Sequence, residues 1–386
     1  MSPTSSLYPR FSNEEFLRRY QAVRQVMGAS DLTALIAYGQ PGLDAEVLYL
    51  SHFPVSREGV LVFPAEGEPT LFVQYFNHLP TARTLAVCTD VRWGGPDTMA
   101  SVVDHVSERG WGAERLGIAG SFPAQRLAAL QQALPHATLV DVTTSLLELR
   151  LIKSQEELAF MRQGAAFSDQ AIAALEAQAH AGMSELELAA IAEGAYLGLG
   201  GKTHIRYLVT TSMSQPAACV PAQYPSSRIL EQGDVLLTEI SALYYGYAGQ
   251  ILRPFSIGTP PTAAYQRLYE VAVEAFSRLA AVLRDGATSE EVLDAADYIH
   301  QQGFTIYDDL VHGFGPGAYY PSLRTRQTSA RPAPPFVFRE NMTVVIQPNI
   351  ITEDERMGIQ VGELLRVTRD GVESLHSYPM RFVQCR

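Results

Sequence analysis

The chain has 386 residues, 47% of them hydrophobic and 18% charged, with a formal net charge of −12. That length suits two domains with sizeable cores, and the acidic balance, without any Lys/Arg-rich run, argues against nucleic acid as a partner. No apolar stretch reaches the length of a membrane span, Met1 to Arg10 lacks the apolar core of a signal peptide, and the scattered Cys88, Cys219 and Cys385 form neither a disulfide framework nor a metal-ligand cluster. A cytoplasmic location is expected, with no membrane contact.

In chain order, residues 11–27 read as an amphipathic helix with Ser12 as N-cap. Short strand-like runs follow at 34–38, 47–50, 59–63 and 70–74, punctuated by Gly and Pro. Helical stretches at 99–108 and 125–133 then alternate with strands at 116–119 and 138–142, the pattern of an α/β domain. Ser154 and Glu157 have capping-box spacing at the start of a further helix. Helices over 155–179 and 184–199 precede a strand at 205–211. Helices at 263–284 and 288–302, and strands within 336–348 and 359–368, complete the chain. Residues 319–335 form a loop rich in Pro, Ser and Arg, long enough to act as a lid.

The stretch Gly233 to Phe255, G-D-V-L-L-T-E-I-S-A-L-Y-Y-G-Y-A-G-Q-I-L-R-P-F, carries the hairpin pattern: apolar runs flank a Tyr- and Gly-rich turn. Pairing of its strands brings Glu239 close to Gln250. Together with Leu146 to Met161, L-L-E-L-R-L-I-K-S-Q-E-E-L-A-F-M, this stretch resembles the pita-bread family of creatinase, prolidase, aminopeptidase P and methionine aminopeptidase. The resemblance implies an α+β architecture: a smaller creatinase-type α/β domain over residues 1–146, then a pita-bread domain over 147–386. It also implies a homodimer.

Metal-dependent members of that family hold two divalent ions with Asp, His and Glu ligands. At the corresponding positions this sequence has Glu239, Gln250, Pro316 (in His312-Gly313-Phe314-Gly315-Pro316), Gln347 and Gly362, with Glu363 next door. Amides, proline and glycine are poor replacements for carboxylate and imidazole, so no binuclear metal site and no cofactor are expected. The family also contains creatinase, which works without metal. Its general acid/base His and its second Glu correspond here to Ala222 and Leu252, so creatine hydrolysis itself is not implied.

The resemblance places Glu239, Gln250, His312, Gln347, Asn349 and Glu363 in one pocket, with His204 and Tyr247 at its rim. A His beside a carboxylate can do general acid/base work near neutral pH. Glu239 and His312 are therefore the expected proton-transfer pair, with Glu363 positioning substrate or water. His312 has a plainer reading as a hydrogen-bonding residue at a Gly-rich turn. Gln250 and Gln347 either fill the space of lost ligands or read a planar polar substrate through their amides. Arg57 is expected either to bind a substrate carboxylate, as the resemblance implies, or to pair with Glu58 at the surface. The leading expectation is a metal-independent hydrolase of a C–N bond in a small, carboxylate-bearing compound. A non-catalytic binding protein is the alternative, and an Xaa-Pro peptidase a third.

Overall fold

The computed structural model describes residues 8–317 and 319–386. The chain divides into two compact units, Met1–Arg150 and Leu151–Arg386. The boundary expected at 146/147 falls inside the helix that ends the first unit.

In the first unit α1 (Asn13–Ala29) leads into β1 (Ala34–Gly39), α2 (Ala45–Ser51), β2 (Gly59–Pro64), β3 (Thr70–Val73), α3 (Leu79–Leu85) and β4 (Asp90–Trp93). Then follow α4 (Thr98–Glu108), β5 (Arg115–Ala119), α5 (Ala124–Ala133), β6 (Thr138–Asp141) and α6 (Thr143–Leu151). Ser12 caps α1 by accepting from Glu15 N. The strands form one sheet in the order β4-β3-β2-β1-β5-β6. Only β2 runs antiparallel to its neighbours. Ala34, Ile36, Tyr38, Val60, Val62 and Phe72 from this sheet pack against Met99, Val102 and Val106 of α4 and Leu130 of α5.

The run at 47–50, expected as a strand, is helical. Every residue from Glu46 to Ser51 is buried, so no polar alternation separates strand from helix in the sequence. Asp44 fixes the turn before this helix, its Oδ2 accepting from Val55 N at 2.8 Å. His52, at φ +61°, ends it in the left-handed region. Helices α3 and α6 and strand β4 were not anticipated.

The second unit opens with α7 (Gln155–Gln178) and α8 (Glu185–Leu197), followed by β7 (Lys202–Ser212), β8 (Asp234–Tyr244), β9 (Tyr247–Leu252) and β10 (Phe255–Ile257). Two helices, α9 (Ala263–Val282) and α10 (Ser289–Gln301), lead to β11 (Val311–Gly313), β12 (Ser322–Leu323), β13 (Thr343–Ile346) and β14 (Asn349–Ile351). The chain closes with β15 (Gly358–Gln360), β16 (Gly362–Val367), β17 (Val372–Ser374) and β18 (Val383–Cys385). Capping boxes start α7 at Ser154/Glu157, α8 at Ser184/Glu187 and α10 at Thr288/Glu291.

The main sheet runs β12-β11-β13-β16-β9-β8-β10-β18, with β7 also paired to β8 and β17 to β16. α7 and α8 pack on it through Phe167, Ile172, Leu175 and Leu188 against Leu236, Ile240 and Ile251. The hairpin at its centre turns at Tyr245 and Gly246, with φ of +48° and +86°. Two successive positive φ values are the type I′ turn, whose twist suits paired strands. The second apolar run of the hairpin is split. Residues to Leu252 continue β9, whereas Phe255 crosses back to pair with Leu236 and, in parallel, with Val383. Among the described residues no helix is long and apolar enough to cross a membrane, and all three cysteines are free and buried.

Candidate active site

The hairpin register builds the centre of the site. Ser241 pairs with Gln250, and Tyr207 of β7 pairs with Glu239. Side chains directly opposite, or two apart on one strand, share a face. Glu239, Ser241, Gln250 and Tyr207 therefore project to one side of the sheet. Gln250 is the hub. Its Nε2 donates to Glu239 Oε1 at 3.2 Å and to Gln347 Oε1 at 2.5 Å, while its Oε1 accepts from Ser241 Oγ at 3.4 Å. Gln347 enters from the end of β13, its backbone N–H held by Leu310 O at 2.9 Å.

Burial pushes the Glu239 carboxyl up to about 8, and the nearby negative charge of Asp308 pushes in the same direction. Asp308 is held by Gln360 Nε2 at 3.1 Å. At neutral pH Glu239 is thus predominantly a neutral carboxylic acid, able to donate a proton.

An aromatic group lies within electrostatic reach of Glu239 and Tyr207. His204 stacks on Tyr319 with ring centroids 6.1 Å apart and hydrogen-bonds its hydroxyl through Nε2. Tyr319 in turn packs against His312 and Phe314, at 6.0 and 5.7 Å. The Tyr319 phenol is pushed up to about 12, by burial first and then by Tyr207 and Glu239. His312 lies in β11 and is buried. Its Nδ1 is 2.9 Å from Gly313 O. A carbonyl only accepts, so Nδ1 carries a hydrogen and Nε2 is the nitrogen left to face the site. No hydrogen bond joins His312 to Glu239. The expected direct hydrogen bond between the two is not formed, because His312 Nδ1 is turned toward the β11 backbone.

Several expected site residues are engaged in hydrogen bonds that tie the framework together. Glu363 accepts from Arg253 Nη2 at 2.5 Å and from Ser374 Oγ at 2.6 Å, so both of its oxygens are engaged. Arg253 is fully buried and also donates to the carbonyls of Leu252, Gly362, Tyr378 and Pro379. Glu363 therefore neutralises Arg253 within the sheet. Asn349 donates to Cys219 O and Ile359 O and accepts from Tyr307 N, joining three backbone segments. Tyr247 is buried and donates to Glu157 Oε1 at 2.9 Å, tying β9 to α7. His204 belongs to the aromatic group through Tyr319. Arg57 lies in the first unit, exposed. Glu58 pairs not with Arg57 but with Arg126, at 3.0 Å.

Position 362 has no room for a side chain. A Cβ on Gly362 would stand 2.3 Å from Ile346 O and 2.7 Å from Gln347 Cα. Strands β13 and β16 approach too closely for any side chain. The donor set that remains around Gln250 is one carboxyl held largely neutral and two amides bonded to each other. Divalent hard or borderline cations need charged oxygen or imidazole donors, and this set does not fit them. Among the described residues no group of three or more His, Cys, Asp or Glu is placed to hold a metal ion.

Tyr207, Ser241, Asp308, Tyr319 and Gln360 were not picked out from the sequence as site residues. The register opposite Glu239 was a usable signal for Tyr207 and Ser241, and Tyr319 opens the loop singled out as a lid. Asp308 follows α10 by a short irregular segment and carried no signal.

Comparison with known proteins agrees with this architecture. Residues 159–369 match metallopeptidase family M24, and residues 19–152 match the creatinase/prolidase N-terminal domain. An uncharacterized hydrolase/peptidase of Sinorhizobium fredii is 27% identical, covering 96% of this chain and 96% of that protein. A creatinase of a Bacillus species is 23% identical, covering 96% of this chain and 92% of its own length. An Xaa-Pro dipeptidase from Pyrococcus horikoshii is 25% identical over 68% of this chain and 73% of that protein. Among solved structures, the Xaa-Pro dipeptidase from Bacillus anthracis superposes with a TM-score of 0.81 at 20% identity, covering 96% of this chain and 99% of that one. The chain belongs to metallopeptidase family M24, with a creatinase-type N-terminal domain preceding the pita-bread domain in sequence.

Proposed function

We propose that this protein is a hydrolase that cleaves a C–N bond in a small, polar, carboxylate-bearing compound without a metal ion. One observation carries the reading. Gln250 bridges Glu239 and Gln347 by direct amide hydrogen bonds, where a metal-dependent site would need charged ligands. In this reading water attacks the carbon of the C–N bond, and His312 Nε2 takes the water proton. As the bond breaks, Glu239 gives its proton to the leaving nitrogen. The two groups are suited to opposite tasks: an acid kept protonated by burial, and an imidazole oriented by its Nδ1 contact with the Gly313 carbonyl. Tyr319 and His204 wall the site and exclude water.

The test is an assay of amine or ammonia release from N-acyl, N-carbamoyl and amidino amino acids, with a chelator present. Turnover that survives the chelator and falls on the order of 10²- to 10⁴-fold in Glu239→Gln supports the reading. Turnover that appears only on adding a divalent ion, or that ignores Glu239→Gln, overturns it.

A further inference from the structure

The irregular segment between α10 and β11 is pinned on both sides of Asp308. Tyr307 N donates to Asn349 Oδ1 at 3.2 Å, and Leu310 O accepts from Gln347 N at 2.9 Å. The register places Gln360 of β15 opposite Asn349, and Gln360 Nε2 donates to Asp308 Oδ2 at 3.1 Å. Asp308 acts through space on Glu239, after the effect of burial. Tyr207, paired with Glu239 in register, is raised by burial first, then by Glu239 and also by Asp308. Asp308 and Gln360 therefore stand beside the Glu239 cluster.

Both have chemistry left over. Gln360 is 1% exposed, and its Oε1 has no hydrogen-bond partner among the described residues. A carboxylate only accepts, so Asp308 fixes the amide with its nitrogen inward and leaves the oxygen as the orphan. A buried acceptor without a donor is costly, and a ligand donor that meets it removes that cost. Asp308 accepts from Gln360 Nε2 and from Asp309 N at 2.8 Å, both neutral donors. Among the described residues no Lys, Arg or His pairs with Asp308. Arg324 meets this segment at the Tyr307 carbonyl. Glu363, by contrast, has its cation in Arg253.

A carboxylate without a counter-ion beside an unmet amide oxygen suits a positive group with several N–H donors. Asp308 also narrows the shape of that group. Its Oδ1 is engaged by Asp309 N and its Oδ2 by Gln360, so the two-oxygen face that a guanidinium fork takes is already occupied. A primary ammonium is a compact charge with three donors and needs one lone pair from each acceptor.

We propose that Asp308 and Gln360 Oε1 form a specificity subsite for a primary ammonium group, which on the hydrolase reading above belongs to the substrate and is not the nitrogen cleaved. The substrate is then a zwitterion, carrying an ammonium as well as a carboxylate.

The experiment is calorimetric titration of the full chain with β-alanine, propionate and guanidinopropionate, which share a carboxylate and differ at the other end. Saturable β-alanine binding at millimolar concentration is expected, about tenfold or more tighter than propionate, the worth of a charge-assisted hydrogen bond. Asp308→Asn and Gln360→Met should each weaken β-alanine by about that factor and leave propionate unchanged, with far-UV circular dichroism reporting that both variants fold. Absence of saturable β-alanine binding, binding no tighter than that of propionate, or binding indifferent to both substitutions overturns the proposal. Tighter binding of guanidinopropionate than of β-alanine overturns the choice of ammonium. The readout is binding, so the two readings fail separately. Asp308-dependent binding in a protein that hydrolyses nothing would leave the subsite and remove the hydrolase, whereas hydrolysis indifferent to a substrate ammonium would do the reverse.

Discussion

Gln250 and Gln347 are joined amide to amide, Nε2 of the first lying 2.5 Å from Oε1 of the second. They come from β9 and the end of β13, separated in the sheet by β16. Gly362 at the start of β16 makes the contact possible, since a side chain there would run into Gln347. The same Gln250 nitrogen reaches Glu239, so one amide group organises both neighbours. A neutral, mutually satisfied cluster fits a buried site better than three carboxylates would, because buried charges without counter-ions are costly.

That relationship predicts the metal behaviour. The wild-type protein should show no saturable Mn²⁺ binding at micromolar concentration by calorimetry. Gln250→Asp combined with Gln347→Glu should gain it, because three carboxylates would then converge on one point. The double variant without metal should unfold at a lower temperature than wild type and recover on adding Mn²⁺. Micromolar Mn²⁺ binding by wild type that is lost in Glu239→Gln would show that the amides do not exclude the ion.

Glu239 predicts a pH dependence of stability. Its carboxyl titrates near 8 when folded and near its ordinary 4.5 when unfolded. Between these values the folded state binds the extra proton, so its stability falls as pH rises, by up to about 1.4 kcal/mol per pH unit from this group. Glu239→Gln lacks the titrating proton. The difference in stability, variant minus wild type, should therefore grow from pH 5 to pH 8 and level off above it. Chemical denaturation at several pH values measures it, and a flat difference would rule out the raised carboxyl.

Glu363 predicts a structural loss without a chemical one. Glu363→Ala leaves the fully buried Arg253 without its carboxylate, a change that costs about 3–5 kcal/mol. Urea midpoints should drop accordingly. Glu363→Gln, which keeps a hydrogen-bond acceptor, should be less damaging, and turnover per folded molecule should stay near wild type. Normal stability with a large fall in turnover would return Glu363 to the site.

The contrast between Glu239 and Glu363 shows what the sequence could reveal. The hairpin was legible because its period, its Tyr-Gly turn and its flanking apolar runs agree with one another, and its register alone puts Glu239 beside Gln250. Glu363 stands in an equally recognisable strand. Its partner Arg253 is a buried cation 110 positions away, and nothing local announces which of two neighbouring roles a carboxylate takes. The same holds for Asp308, whose effect on Glu239 arises through space from an irregular segment. The run at 47–50 was misread because burial on every side erases the periodicity that distinguishes helix from strand.

The proposed chemistry predicts a distinctive pattern in the pH profile and the variants. Glu239 must be protonated to act as the acid, so kcat/KM should fall as pH rises through about 8. Glu239→Gln should lose most of the turnover and, with it, the alkaline limb. His312→Asn keeps a polar group at the β11 turn while removing the imidazole that takes the water proton, and should leave the alkaline limb in place. Each single change should cost on the order of 10²- to 10⁴-fold. The double variant should be barely worse than either single, because a proton taken is useless without one given at the same step. If the two losses instead multiply, the groups act independently. If His312→Asn keeps full turnover, the base is another group, and His204, bonded to Tyr319, is the next to replace.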